Sequence, residues 1–243
     1  MEPLAPSWMS RTTGWPRDSE TFWFTRRTSG ANAAAIRERG RALKRSLGIE
    51  RVIGTVVYAG NALLEPGVVL STAPTAGTIA IGEPDGSKSE RIAALGQMLE
   101  AAGYKAPIAA DIREAVWTKM VGSNLASMLV CTLLDKPLAV FSQNPELATL
   151  SRNILIEGMA VAKAWGKTLP LEPEGAHDPE KLTNNHKPSM AQDFERGRML
   201  EIDPILTAFQ RMARAAKVPT PHFDAGLALL VQRAMDAGLY SRK

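Results

Sequence analysis

The chain has 243 residues, a formal net charge of +4, 45% hydrophobic and 22% charged residues, a make-up that fits one large or two small soluble globular domains. A single cysteine, Cys131, excludes an intramolecular disulfide, and no apolar run approaches the about 20 residues that span a bilayer or follows the N-terminal charges as in a signal peptide. Nine Lys/Arg against three Asp/Glu lie between Arg11 and Arg45, yet no aromatic-interleaved groove motif accompanies them, so nucleic-acid binding is not expected and a reducing, cytoplasmic setting is.

Residues 1–30 read as irregular, punctuated by Pro3, Pro6, Gly14, Pro16 and Gly30, and 31–47 as a basic helix ending at Gly48. Regular order starts at Arg51. Val52–Tyr58 is a β-branched run of strand length, long enough to be buried. Pro66-Gly67 turns the chain into a second run at Val68-Val69-Leu70, and Gly77–Gly82 gives a further strand, closed by Glu-Pro-Asp-Gly. Ser87 or Ser89 caps a helix through Ile92, Leu95, Met98 and Leu99 that stops at Gly103. Ala106–Ala109 is a short extended piece.

From Asp111 the pattern is helical. Asp111 is the expected N-cap and Glu114 completes a capping-box-like pair, with Ile112, Ala115, Val116, Met120 and Val121 as the apolar face of a helix reaching about Leu134. Lys119 carries Ser123 and Ser127 at four-residue steps on nearly the same face. That is either a solvated polar stripe or a cation set above small hydrogen-bonding groups. A helix from about Pro145 to Trp165 follows, with Leu147, Leu150, Ile154 and Val161 on its inner side. After a polar loop over 168–188, Ser189 caps a short helix stopping near Gly197. Asp203-Pro204 restarts helix with Asp as N-cap and Pro first, its inner stripe being Ile205, Leu206, Phe209, Met212, Ala213 and Ala216. The last helix runs from near Phe223 to near Gly238. His177, His186 and His222 fall on loops at wide spacing, without a metal signature. Cys131, in an apolar helical run, reads as a small buried hydrophobe.

Two blocks carry a family resemblance. The first is Asp111-Ile-Arg-Glu-Ala-Val-Trp117-Thr-Lys119. The second is Lys187-Pro-Ser189-Met-Ala-Gln-Asp193-Phe-Glu-Arg-Gly197-Arg198-Met-Leu-Glu201-Ile-Asp203. In order and separation they resemble the ketopantoate reductases (2-dehydropantoate 2-reductases), over about Arg51 to Tyr240. The resemblance implies α/β plus all-α architecture: a truncated Rossmann-like nucleotide-binding domain over 1–110, with 1–50 doubtful, then a helical substrate-binding and dimerisation domain over 111–243. It makes Lys119 the proton donor, Ser189 a ligand of the substrate carboxylate and Glu201 a contact to the cofactor ribose. A lysine ammonium suits the first role, since it can steady a developing alkoxide and then protonate it. Ser189, placed at a helix start, has hydroxyl and nearby N–H groups suited to an anion.

The family pattern also expects asparagines four and eight residues after the lysine. Here those positions are Ser123 and Ser127, and Asn124 comes one step late, rotated by about 140° from Lys119 on a regular helix. Helical geometry favours Ser123, and residue chemistry favours Asn124. One π-bulge would bring Asn124 round.

The sequence contains neither Gly-x-Gly-x-x-Gly nor an Asn-Gly dipeptide. Both a truncated or misread start and a genuine short paralogue fit, and either leaves a sheet edge exposed. The expected reaction is NADPH-dependent reduction of 2-dehydropantoate or a related 2-keto acid, in pantothenate biosynthesis. The alternative is a non-catalytic helical dimerisation module of the same fold that does not bind cofactor. The expected partners are a small keto acid and a second copy of the chain.

Overall fold

A computed structural model describes residues 48–65, 67–71, 77–175 and 186–242. The expected basic helix over 31–47, the irregular stretch 1–30 and His177 lie outside the described residues. The chain divides into two compact units, Ser46–Lys119 and one containing Met120–Lys243.

In the first unit, β1 (Gly54–Tyr58) pairs antiparallel with β4 (Thr78–Gly82), matching Thr55 with Ile81 and Val57 with Ile79. On its other side β4 makes parallel bridges to Lys105 and Ile108, with Ile79 N–H donating to Lys105 O at 2.8 Å and Ala109 N–H to Ile81 O at 2.8 Å. Between them lies α1 (Glu90–Ala101). Strand, helix and parallel extended segment thus form a βαβ unit, the building block of doubly wound nucleotide-binding sheets. The Ser89 hydroxyl accepts from Ile92 N–H at 3.2 Å, which settles the cap at Ser89, and Gly103 takes the left-handed φ of +89° just beyond the helix end. β2 (Asn61–Glu65) and β3 (Val68–Ser71) form a separate antiparallel hairpin.

Burial corrects one strand expectation. β1 is half-buried rather than buried: Gly54 and Val56 face inward, while Thr55, Val57 and Tyr58 are exposed. All of β3 is exposed, because its hairpin pairs only with itself among the described residues. A β-branched run fixes extended backbone but not what covers it.

The expected helix from Asp111 is present with two irregularities. Asp111 Oδ1 accepts from Arg113 N–H at 2.9 Å and Glu114 N–H at 3.2 Å, an N-cap for α2 (Ile112–Lys119). α2 packs on β1 and β4. Gly82 makes the close approach possible, since a Cβ there would stand 2.8 Å from Ile112 Cβ. After Lys119 the backbone widens into π-helix over Met120–Leu125 and again over Ser127–Cys131, then returns to α-helix over Thr132–Leu134 (α3).

The second unit is helical. α4 (Val140–Gln143) and α5 (Pro145–Ala164) follow α3, and Asn144 caps α5 by accepting from Leu147 N–H at 3.0 Å. Of the residues assigned to the inner side, Ile154 and Val161 are buried and Leu147 and Leu150 half-buried. α6 (Ser189–Glu195) packs against α3 and Ser127–Cys131. Asp203–Thr207 is a third π segment, running into α7 (Ala208–Ala215), and α8 (Pro221–Asp236) closes the unit. Phe209 and Phe223 are fully buried and meet edge to face, ring centroids 4.8 Å apart. Among the described residues no helix is long and apolar enough to cross a membrane.

Two N-cap expectations fail. Pro188, not Ser189, stands at the N-cap of α6, and no side-chain cap bond forms. Helix already begins at Ile202, so Asp203 lies inside it, and its Oδ1 accepts from the Tyr240 hydroxyl at 2.8 Å. In each case a tertiary partner or a one-residue shift overrides the local cap signal.

Val121, Leu125 and Leu129 lie against two helix glycines. A Cβ at Gly158 in α5 would come within 2.7 Å of Val121 Cγ1, and one at Gly226 in α8 within 2.5 Å of Leu129 Cδ2. In α1, a Cβ at Gly96 would meet Ile81 Cδ1 at an ordinary 3.7 Å. Helix propensity favours Ala over Gly by about 1 kcal/mol, whereas overpacking a core costs about 1–3 kcal/mol. Gly96→Ala should therefore raise stability and Gly158→Ala lower it. Urea unfolding followed by circular dichroism checks the signs, and a gain at both positions would contradict the packing described.

Candidate functional site

Lys119 is the last residue of α2. Its ammonium donates to the Val57 carbonyl at the end of β1 and lies 4.9 Å from the centroid of the Tyr58 ring. The side chain is half-buried, and burial lowers its pKa below the ordinary 10.5. No carboxylate pairs with it among the described residues. That is the electrostatic setting a lysine acid needs: desolvated, but not locked in the charged form by an anion.

Asn124 lies in the π segment Met120–Leu125 and is half-buried; Ser123 beside it is exposed. A regular α-helix is therefore the wrong template for choosing between them. In a π-turn the i→i+5 bond puts residue i+5 where an α-turn places i+4. Ser127 spends its hydroxyl locally, donating to the Ser123 carbonyl.

Ser189 is exposed in the first turn of α6. The segment before it is held from two sides. Lys187 Nζ pairs with Asp135 Oδ1 at 2.7 Å and Glu195 Oε1 at 3.1 Å, and Leu138 N–H donates to His186 O at 3.0 Å. Asp135 takes the left-handed φ of +54° that ends α3. Arg233 adds a third tie, donating to Leu133 O while its guanidinium stacks 4.6 Å from the Phe194 ring. Glu201 is exposed just before the helix that begins at Ile202, and Leu200 N–H, next to it, donates to Leu239 O at 2.9 Å. Among the described residues the side chains of Asn124, Ser189 and Glu201 make no hydrogen bond or ion pair. Lys119 belongs to the strand unit and these three to the helical unit.

The residues missed by sequence reasoning are those with distant partners. His222 is not a loop residue: it sits in the first turn of α8, its ring Nδ1 2.7 Å from Glu157 Oε1. The Glu157 carboxylate also accepts His222 N–H at 2.9 Å and Phe223 N–H at 3.0 Å, capping α8 from α5. A signal existed, because Glu157 lies between Ile154 and Val161 on the buried face of α5. Cys131 is fully buried, and burial pushes its thiol up to about 12, so it is the inert core residue expected.

The strand-to-helix connection β4–α1 is closed by a buried carboxylate. Glu83 is 4% exposed, accepts from Ser89 Oγ at 2.6 Å and Arg91 Nε at 2.7 Å, and Arg91 reaches on to the carbonyls of Glu50 and Val52. A buried anion at this helix entrance does not suit a phosphate. The Arg91 hydrogen bond leads in holding the Glu83 carboxyl below its ordinary 4.5.

These units, a βαβ-containing layer and a helical domain, match known proteins. The family model described as the C-terminal domain of ketopantoate reductase PanE/ApbA matches residues 111–234. A 2-dehydropantoate 2-reductase from Mesorhizobium japonicum is 35% identical over 206 residues, 83% of this chain and 61% of that protein. The structure of a 2-dehydropantoate 2-reductase from Geobacter metallireducens is 30% identical with a TM-score of 0.71, covering 79% of this chain and 64% of that one. D-mandelate dehydrogenase in its ternary structure with NADH and anilino(oxo)acetate shares the fold, with 24% identity, a TM-score of 0.67 and 86% and 67% coverage. The fold is thus a partial Rossmann-like layer followed by a helical C-terminal domain. The chain belongs to the ketopantoate reductase family, and it spans 61% and 64% of the two members named here.

The Glu83 pair sets an acid limit on the first unit. Its folded pKa lies below its unfolded one, so its contribution is complete above about pH 4.5 and is lost as pH falls through the folded value. Stability measured from pH 7 to pH 3 should fall more steeply for the wild type than for Glu83→Gln, which starts lower. Parallel curves would contradict the pairing.

Proposed function

We infer that the chain derives its chemistry from reduction of a 2-keto acid, 2-dehydropantoate first, to the 2-hydroxy acid, with Lys119 as proton donor to the developing alkoxide. The single observation that carries this reading is the Lys119 environment: a half-buried ammonium with a lowered pKa and no carboxylate partner among the described residues, in the motif where the family places its acid. Asn124 is assigned to the substrate hydroxyl or carbonyl side, a reading supported by its place in a π segment, and Ser189 to the carboxylate, where a hydroxyl donor suits an anion. Glu201 is an exposed acceptor suited to the hydroxyls of a nicotinamide ribose. The hydride comes from NADPH when bound, and Lys119 supplies the proton. The lone buried Cys131 suits the reducing cytoplasm.

A second reading is favoured by the lack of Gly-x-Gly-x-x-Gly in the 243 residues. In it they form a helical dimerisation module that does not hold cofactor. Glu201 suits the ribose end of NADPH, and the 243 residues carry no glycine fingerprint for its diphosphate. Calorimetric titration should therefore detect no NADPH binding in the micromolar range at physiological salt; a micromolar Kd would overturn that expectation. The proton-donor role is tested in a fusion that places a complete family nucleotide-binding half before Arg51. If the fusion reduces the keto acid, Lys119→Ala should lower kcat by about 10²–10⁴-fold. Ser189→Ala should act mainly on KM, because the carboxylate is bound alike in ground and transition states. A Lys119→Ala kcat within about threefold of the parent would remove Lys119 from the chemistry, since general acid catalysis carries far more than that.

We assign self-association to the helical unit. Leu129, Val130, Leu133, Leu134, Leu150 and Leu229 line an apolar groove of about 290 Å³, and Leu229, Ile156 and Leu134 are 61%, 48% and 38% exposed. Sedimentation at tens of micromolar should give a dimer, weakened by Leu229→Glu; a clean monomer would contradict it.

A further inference from the structure

Val57 and Tyr58 end β1 with their side chains 44% and 40% exposed, a poor use of a strand end unless something rests on it. What rests on it is the Lys119 ammonium, met by the Val57 carbonyl and by the face of the Tyr58 ring. β1 and β4, the strands on which α2 packs, carry no charged side chain, and Tyr58 is their single titratable residue. Its hydroxyl stays neutral at working pH, because burial raises its pKa. On α2 itself Arg113 and Glu114 lie more than one helical turn before Lys119.

The chemical difference from an ordinary ion pair is large. A carboxylate would hold the proton tightly and occupy the ammonium. A ring quadrupole and one carbonyl hold the cation in place while leaving further N–H donors free for a ligand oxygen. We propose that Tyr58 is a positioning residue for Lys119: its ring face docks the ammonium at the end of β1, charged and with donors to spare for a keto oxygen. The proposal rests on Lys119 as proton donor for its purpose, but the docking itself is a property of this chain and is measurable without turnover.

The test is competitive acetylation of the whole chain across pH, with the Lys119 peptide quantified by mass spectrometry. The wild-type midpoint should lie below 10.5. Tyr58→Phe keeps the ring and should leave that midpoint unchanged. Tyr58→Leu keeps apolar bulk but removes the quadrupole, and the midpoint should fall by about half a pH unit, the equivalent of one exposed cation–π contact. Should Tyr58→Leu fail to fold by circular dichroism, Tyr58→Met reads the same loss. A midpoint that stays put or rises in the folded ring-less variant would overturn the docking and reduce Tyr58 to packing. Absence of keto-acid reduction by the chain leaves this titration intact, so the two failures are separable.

Discussion

The helical unit depends on one stripe, Val121, Leu125 and Leu129, pressed into the space left by Gly158 and Gly226. Each of these side chains is at most 2% exposed, and full burial of such a side chain is worth about 1.5–3 kcal/mol. The glycines give up helix propensity so that α5 and α8 can approach this closely. The same stripe runs through both π segments, so core packing and the irregular backbone are one feature. Widening the helix keeps its apolar side chains seated while it changes which polar residue follows Lys119 around the axis. Within the first π segment Asn124 is half-buried and Ser123 exposed.

In the strand unit the corresponding constraint is Gly82. Its missing Cβ lets Ile112 close down on the sheet, which fixes α2 against β1 and places Lys119 over the end of that strand. The Glu83–Arg91 pair closes the next turn. It stabilises that turn and puts a buried anion at the entrance of α1.

What the sequence could reveal follows from how local each signal is. The caps at Ser89 and Asp111 and the stops at Gly103, Gly166 and Gly238 involve neighbours a few residues apart, and the structure has them where the spacing puts them. Asp203 looked equally local, but its partner is Tyr240, 37 residues away. Glu157 and His222 are separated by 65 residues, and Lys119 and Val57 by 62. Nothing in spacing predicts such pairs. Val68-Val69-Leu70 encodes extended backbone and forms β3 as expected, but its full exposure was not legible, because no covering layer faces it among the described residues. The two lysine- and serine-bearing blocks were legible as motifs. The choice between Ser123 and Asn124 was legible only as one between two helix types, and the backbone there is π-helix.

The central claim is that the π segment makes Asn124, with Ser189, the keto-acid side of the site. The most direct measurement is a series of ¹H–¹⁵N correlation spectra of the chain titrated with the 2-hydroxy acid product of 2-dehydropantoate reduction. The expected result is that the Asn124 side-chain amide pair and the Ser189 backbone amide move together and saturate at one concentration. If Ser123 responds while Asn124 stays fixed, or if neither Asn124 nor Ser189 moves at saturating ligand, the assignment is wrong.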